Sequence, residues 1–266
     1  PYSFYIAEDE VTSSLRTAVG DASTEQAIRI VYVPQAVFRV RAVTRCTSTL
    51  PGHAEAILSS SFSADGRVLA TGSGDHTVRL WDVFTETPKS TLKAHTDWVL
   101  CVAWSPCCRY IASGGKDGRV AIWEVAKPDA PHRVINAHKK WVNGLAWEPF
   151  HRSADCARLA SASKDGAIRI WDRVNGRCVG TLSGHANSVS CVRWGGEGLI
   201  YSGSHDRTVK VWAADECKLV RSLEGHGHWV NCVACSTDAA IRSGPFDHRG
   251  IAPSAPEAAA AEAEKR

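Results

Sequence analysis

Three sets of residues in this chain have the types and spacing of reactive centres. His95, Ser113 and Asp117 supply the imidazole, hydroxyl and carboxylate of a nucleophilic triad, in which the imidazole takes the hydroxyl proton and the carboxylate fixes its tautomer. Five histidines, His53, His95, His138, His185 and His226, could hold a transition metal if they converged. Cys232 and Cys235 form a C-x-x-C pair, a spacing used for metal binding and redox chemistry. Each set fails because it is one copy of something repeated. The trio recurs as His53, Thr71 and Asp75, as His138, Ser161 and Asp165, and as His185, Ser202 and Asp206. A nucleophile needs access and an oxyanion hole, and nothing in the pattern supplies one. The histidines belong to separate units and cannot share an ion. Aligned on the histidines, Cys101, Cys191 and Cys232 share one position six residues on. Cys235 stands three further, where the other units carry Phe62, Trp104, Trp147 and Trp194. Strand residues three apart face opposite ways, so the cysteines read as buried small hydrophobes of a reducing compartment.

Stepping from the residues to the elements that must hold them, the repeat itself is the strongest signal. A Gly-His or Ala-His pair returns five times, with histidines 42, 43, 47 and 41 residues apart. Four are followed by a Trp ending a strand-like run, at Trp81, Trp123, Trp171 and Trp212. A period of 40–45 residues with these marks is the signature of a β-propeller of WD40 repeats. Within the first unit the reading is strands over 56–62, 67–73 and 77–81, a turn at Ala64-Asp65-Gly66, and a tight turn holding Asp75. The outermost strand follows the Trp, as in STLKAH, CVGTLSGH and LVRSLEGH. A hairpin folding about His76 puts Thr71 opposite Trp81, and the same arithmetic pairs Ser113 with Trp123, Ser161 with Trp171 and Ser202 with Trp212. Each indole N–H then has a hydroxyl to donate to, and His and Asp complete a buried polar network that fixes register.

Composition sets wide bounds. The 266 residues carry a net charge of +3, too near neutral to imply nucleic acid from bulk electrostatics, and 44% apolar content suffices for a core. No apolar run approaches the roughly 18 residues of a membrane span. Residues 1–36 lack the repeat and read as strand Tyr2–Ile6, a helix about Val11, Leu15 and Val19, a polar turn GDASTEQ and strand Ala27–Val33. Residues 37–50 form a linker and outer strand, on which Arg39, Arg41 and Arg45 share one face by period two. A solvated face is the default for them, and an RNA phosphate contact the sharper option. Residues 51–244 hold the repeats, and 245–266 are a Pro/Ala/Glu-rich linker or insertion. The fifth unit never reaches its own Trp. We therefore expect a fragment of a larger ring: four complete blades and part of a fifth.

Three units place a Trp three residues after the His, at Trp98, Trp141 and Trp229, while the other two hold Ala56 and Ser188. The core therefore does not demand an aromatic there. The site falls at the channel rim, on the face of the Asp turns, where WD-repeat proteins commonly bind partners. The same holds two residues on (Asn143, Asn231) and just before the Asp (Lys116, Lys164, His205). Aromatics among Lys and Asn suit a protein hot spot, or stacking and phosphate contacts with RNA. The plain alternative is that these Trp pack between blades.

Several stretches go beyond a generic repeat: YVPQAVFRVRAVTR, ETPKSTLKAHTDWVLCVAWSP, HKKWVNGLAWEP, SGHANSVSCVRWGGEGLIYSGSHDRTVKVW and HWVNCVACSTDAAIRSGPFDH. Together they closely resemble the Notchless family of large-ribosomal-subunit assembly factors, across essentially the whole chain. The resemblance implies that residues 1–36 are the second half of a ubiquitin-like domain. It implies no enzyme activity and a nuclear and nucleolar protein on the pre-60S particle, contacting ribosomal proteins and rRNA, with no membrane and no small-molecule substrate. It further implies that the metal-ion-dependent adhesion site (MIDAS) of the AAA ATPase midasin grips the ubiquitin-like domain. One acidic residue there completes the coordination of the MIDAS ion, and the family position falls on Glu25, with Glu8 and Glu10 as rivals. A carboxylate suits a hard ion such as Mg²⁺, which would be held only at the interface with the partner, the chain keeping no cofactor of its own. The rival class is a WD40 adaptor in Notch signalling or ubiquitin transfer.

Overall fold

A computed structural model describes residues 2–6, 9–10, 30–34, 46, 48–236, 244–246, 252 and 261, and divides the chain into two units, 1–49 and 50–266. The first unit contains a three-stranded antiparallel sheet in which β1 (Tyr2–Ile6) lies between β2 (Asp9–Glu10) and β3 (Ile30–Pro34). The first expected strand is found at its stated bounds, and the second is described from Ile30 onward. The expected helix, Glu25, Glu8 and the three arginines of 39–45 lie outside the described residues, as does nearly all of the Pro/Ala/Glu-rich tail.

Among its described residues the second unit is built of four four-stranded antiparallel sheets, each one blade of an all-β WD40 propeller. Blade one runs β4 (Ile57–Phe62), β5 (Val68–Ser73), β6 (Thr77–Asp82) and β7 (Thr87–Lys93). Blade two is β8 (Val99–Trp104), β9 (Tyr110–Gly115), β10 (Arg119–Glu124) and β11 (Arg133–Asn136). Blade three is β12 (Val142–Trp147), β13 (Arg158–Ser163), β14 (Ala167–Asp172) and β15 (Cys178–Ser183). Blade four is β16 (Val189–Trp194), β17 (Leu199–Ser204), β18 (Val209–Ala213) and β19 (Lys218–Leu223). The strands alternate as a two-sided sheet requires: in β6, Val78 and Leu80 are buried while Thr77 and Arg79 are only half-buried. Residues 224–236, the start of a fifth unit, form no strand.

The hairpin register differs from the sequence expectation by two residues. Thr71 lies opposite Arg79, and Trp81 opposite Leu69. Likewise Ser113 faces Ala121, Ser161 faces Arg169 and Ser202 faces Lys210. The turn is centred on the Asp and not on the residue after it. A shift of two preserves the face, so the indole still reaches the hydroxyl diagonally. Trp81, Trp171 and Trp212 each donate to Thr71, Ser161 and Ser202 at 2.8 Å. In blade two the expectation fails, because the buried Trp123 N–H finds no acceptor.

The hydroxyls pass the connection on. His53, His95, His138 and His185 meet them through Nε2 at 2.7, 2.6, 2.7 and 2.8 Å. Their Nδ1 atoms lie 2.8, 3.1, 2.9 and 2.7 Å from the carboxylates of Asp75, Asp117, Asp165 and Asp206. A carboxylate only accepts, so Nδ1 carries the proton; burial disfavours a second proton on His138 and His185, whose Nε2 then accepts from the hydroxyl. In blades three and four the chain therefore runs from indole N–H to hydroxyl, hydroxyl to imidazole and imidazole to carboxylate. Each link ties a loop before the innermost strand to the two middle strands.

Adjacent blades are joined by a second set of repeated bonds. The indole N–H of Trp104 donates to the Ser61 carbonyl at 3.0 Å, and that of Trp147 to Ala103 at 3.1 Å. Asn143 Nδ2 donates to the Val189 carbonyl at 2.8 Å, and the Ser190 hydroxyl to that of Val230. Between the blades lie apolar clusters, such as Val78, Leu80 and Leu92 with Val99, Ile111 and Trp123. Gly118, at φ +77°, sits where an added Cβ would lie 2.4 Å from the His138 carbonyl of the next blade, so this turn has no room for a side chain.

Removing the indole donor should cost stability only where the bond is made. Trp171→Phe is expected to destabilise by about 1–3 kcal/mol by orphaning the Ser161 acceptor, beyond any packing loss. Trp123→Phe, which loses no bond, should cost clearly less. Equal shifts in the melting temperature of the two variants would contradict the network.

Candidate functional site

The triad-like groups come first, since their geometry matches nucleophilic catalysis link by link. Ser113, Ser161 and Ser202 are each 0% exposed, and Thr71 is 4% exposed. In three blades the hydroxyl oxygen also accepts the indole N–H; in blade two it does not, and burial alone denies a substrate. The carboxylates are held well below their ordinary range. Burial pushes each up, but the hydrogen bonds overcome it: those of Thr77, His53 and Ala54 at Asp75, of His95 and Arg119 at Asp117, of Ala167 and His138 at Asp165, and of Thr208 and His185 at Asp206. Burial lowers the His138 and His185 values below 6.5 by more than Asp165 and Asp206 raise them. These imidazoles are neutral structural connectors.

The cysteines divide. Cys101, Cys107, Cys156 and Cys191 are buried as expected, but Cys46, Cys178 and Cys232 are exposed and Cys235 half-buried; all ten are free thiols. The strand argument against a Cys232–Cys235 chelate does not hold, because these residues form no strand. No group of three or more potential ligands converges on a metal position among the described residues. No helix among them is long and apolar enough to cross a membrane.

The rim is where the structure gathers the remaining expected residues. Trp98, Trp141 and Ser188 immediately precede β8, β12 and β16. The carbonyl of each accepts from the residue before the turn Asp: Lys116 N–H to Trp98 at 2.8 Å, Lys164 N–H to Trp141 at 2.9 Å and His205 N–H to Ser188 at 2.9 Å. This places the side chains at those two positions side by side. Lys116 Nζ lies 4.6 Å from the centre of the Trp98 ring and 5.4 Å from Trp141 of the next blade. Lys164 Nζ lies 3.9 Å from the Trp141 ring. The ring of Trp229 stacks on His205 at 4.3 Å and 12° between planes. All three indoles remain well exposed, at 44%, 38% and 53%. Trp141 and Trp229 nonetheless touch the preceding blade, through Lys116 and His205.

Asn143 is different. Its amide is committed to Ser188 and Val189 of the neighbouring blade, so it is a seam residue and stands apart from the rim contacts. Asn231 is exposed. Three neighbours were missed from sequence. His228 leans on Trp229 at 5.1 Å, and exposed Lys139 and Lys140 directly precede Trp141. A dibasic pair beside a rim Trp was a readable signal. Asp97, 3.8 Å from Lys116, is the rim's acidic counterweight. Also unforeseen is an ion network between blades three and four, where buried Glu148 holds Arg158 and Arg158 and Arg152 both reach Asp215 at 2.7 Å.

Four blades with these polar networks define a WD-repeat protein. The WD domain, G-beta repeat family matches residues 44–82, 86–124, 130–172, 176–213 and 217–244, and the chain belongs to it. Within that family its homologues are Notchless proteins. It is 57% identical over 204 residues to Protein Notchless of Drosophila melanogaster, covering 76% of this chain and 42% of that protein. It is 53% identical over 205 residues to the Notchless protein homolog of Arabidopsis thaliana, 76% of this chain and 43% of that one. Ribosome assembly protein 4 of Saccharomyces cerevisiae is 46% identical over 190 residues, 69% of this chain and 37% of its own length. The chain thus spans less than half the length of these relatives.

The lowered values of His138 and His185 give a pH dependence. An imidazole whose folded value lies below its unfolded value of 6.5 takes its proton more readily in the unfolded chain. Stability is then full above that value and falls as the pH drops through it. The melting temperature should decline between about pH 7 and 5, before the depressed tetrad carboxylates begin to titrate. A flat profile over that interval would show that the imidazoles are not buried in neutral form.

Proposed function

We propose that this protein is a non-catalytic scaffold in assembly of the large ribosomal subunit, and that its propeller docks on the pre-60S particle through the rim of Trp98, Lys116, Trp141, Lys164, His205 and Trp229. The observation that carries this reading is the 46% identity over 190 residues to a relative named as a ribosome assembly protein. The exposed indoles and ordered cations support it, since a hot spot combines aromatic area with oriented charge. Complete burial of the tetrad hydroxyls supports a role without turnover. The place of action is then the nucleus and nucleolus.

In the same reading the first unit is ubiquitin-like and is held by the MIDAS domain of midasin, with the Glu25 carboxylate completing the coordination of a Mg²⁺ ion. A hard cation takes oxygen ligands, and a carboxylate from the partner lowers the charge left on the ion. A second reading, an adaptor in Notch signalling or ubiquitin transfer, draws on the name of the Drosophila relative.

Two measurements test the proposal. Trp98→Ala and Trp141→Ala in the full-length protein should each reduce co-sedimentation with pre-60S particles several-fold while leaving the melting temperature nearly unchanged. Undiminished co-sedimentation would move the binding surface elsewhere and strengthen the adaptor reading. Glu25→Ala should abolish binding to an isolated MIDAS domain, as should chelation of divalent cations with the native sequence. Unchanged affinity by titration calorimetry would transfer the role to Glu8 or Glu10.

A further inference from the structure

The rim carries more than aromatic area. Its lysines are fixed in place, and their charge is largely unspent. Lys164 is held over Trp141 and has no carboxylate partner among the described residues. Lys116 bridges Trp98 and Trp141 and meets only Asp97, at 3.8 Å. Lys139 and Lys140 add two exposed ammonium groups beside Trp141. The turn carboxylates below do not cancel this charge by contact. Asp165 accepts from His138 and from the Ala167 N–H, and Asp117 from His95, Thr96 and Arg119. An ammonium held over a ring keeps its N–H donors for an anion and loses less side-chain freedom on meeting one.

Two kinds of anionic partner compete for such a surface. An acidic peptide is held by clustered arginines, which this row of lysines lacks, or gains affinity from main-chain hydrogen bonds to an open strand edge. Here the rim backbone is already satisfied: the carbonyls of Trp98, Trp141 and Ser188 are taken by Lys116, Lys164 and His205. Recognition must therefore come from side chains alone, as it does along a phosphodiester backbone. Each indole has lysine or histidine against its ring, so a base stacking on that face would first have to displace the covering group.

We infer that the Trp98–Lys116–Trp141–Lys164 row, flanked by Lys139 and Lys140, is a binding site for the phosphate backbone of single-stranded RNA, in which the indoles hold the ammonium groups and do not stack on bases. This rests on the reading of the rim as the docking surface and names its ligand.

The test uses the full-length protein and a labelled single-stranded RNA of mixed sequence about 20 nucleotides long. Lys116→Gln with Lys164→Gln should weaken binding at least tenfold at physiological salt. The slope of log K against log salt should fall by about 1.4, two phosphate contacts at 0.7 each. Lys116→Arg with Lys164→Arg should restore binding, which separates charge from shape and guards against misfolding. Oligouridine and oligoadenine should bind alike, because no base is stacked. Equal RNA binding by the Gln variant and the native sequence overturns the inference. So does a strong preference for oligoadenine, or lysine-dependent capture of polyglutamate without RNA binding. If the Gln variant loses pre-60S particles yet binds RNA normally, the docking surface stands and the RNA assignment falls.

Discussion

Every blade depends on a histidine held through both ring nitrogens inside a polar chain. The Nδ1 proton of His53, His95, His138 or His185 goes to a turn carboxylate, and Nε2 meets the Thr or Ser hydroxyl. In three blades the hydroxyl oxygen then takes the indole N–H of the third strand. Had the imidazole of His138 or His185 been protonated, the hydroxyl would lose its acceptor and a charge would sit where burial penalises it. The carboxylate bears charge, and backbone N–H groups at the turn solvate it in place of water. A buried network of this kind stabilises only when each member is satisfied. Trp123 is the exception, and there apolar packing against blade one takes over.

This constraint explains why the rim looks as it does. Fixing the Asp turn also fixes the residue before it, whose N–H bonds to the carbonyl three residues after the histidine. Two side-chain positions on the solvent side are thereby brought together without being needed by the core. The blades fill them freely: Gly74 with Ala56, Lys116 with Trp98, Lys164 with Trp141, and His205 with Ser188. A rigid network beneath and variable pairs above is an arrangement in which binding residues can change without loss of fold. The same logic separates Asn143 from its neighbours. It points along the seam, and Ser190 does the same one blade on, each donating to the first residue of the next inner segment or the one before it.

How much of this was legible in the sequence depends on whether the information is local or cumulative. The repeat of His, Asp and Trp determined the blade architecture, because period-two apolar runs and Gly/Asp turns specify antiparallel strands within one unit. It also identified the members of each tetrad, since a two-residue error in register leaves the same face in contact. Register itself was decided by the structure: the Asp carboxylate recruits the N–H two residues beyond it, centring the turn on Asp75 and not on His76. The seam role of Asn143 and the reach of Arg158 to Asp215 were likewise invisible, because Val189 and Asp215 come from the next blade, tens of residues away. Sequence placed Lys116 and Trp141 in different repeats. Only tertiary packing could bring them together, since the distance between an ammonium group and an indole of the next blade is set by how two sheets meet.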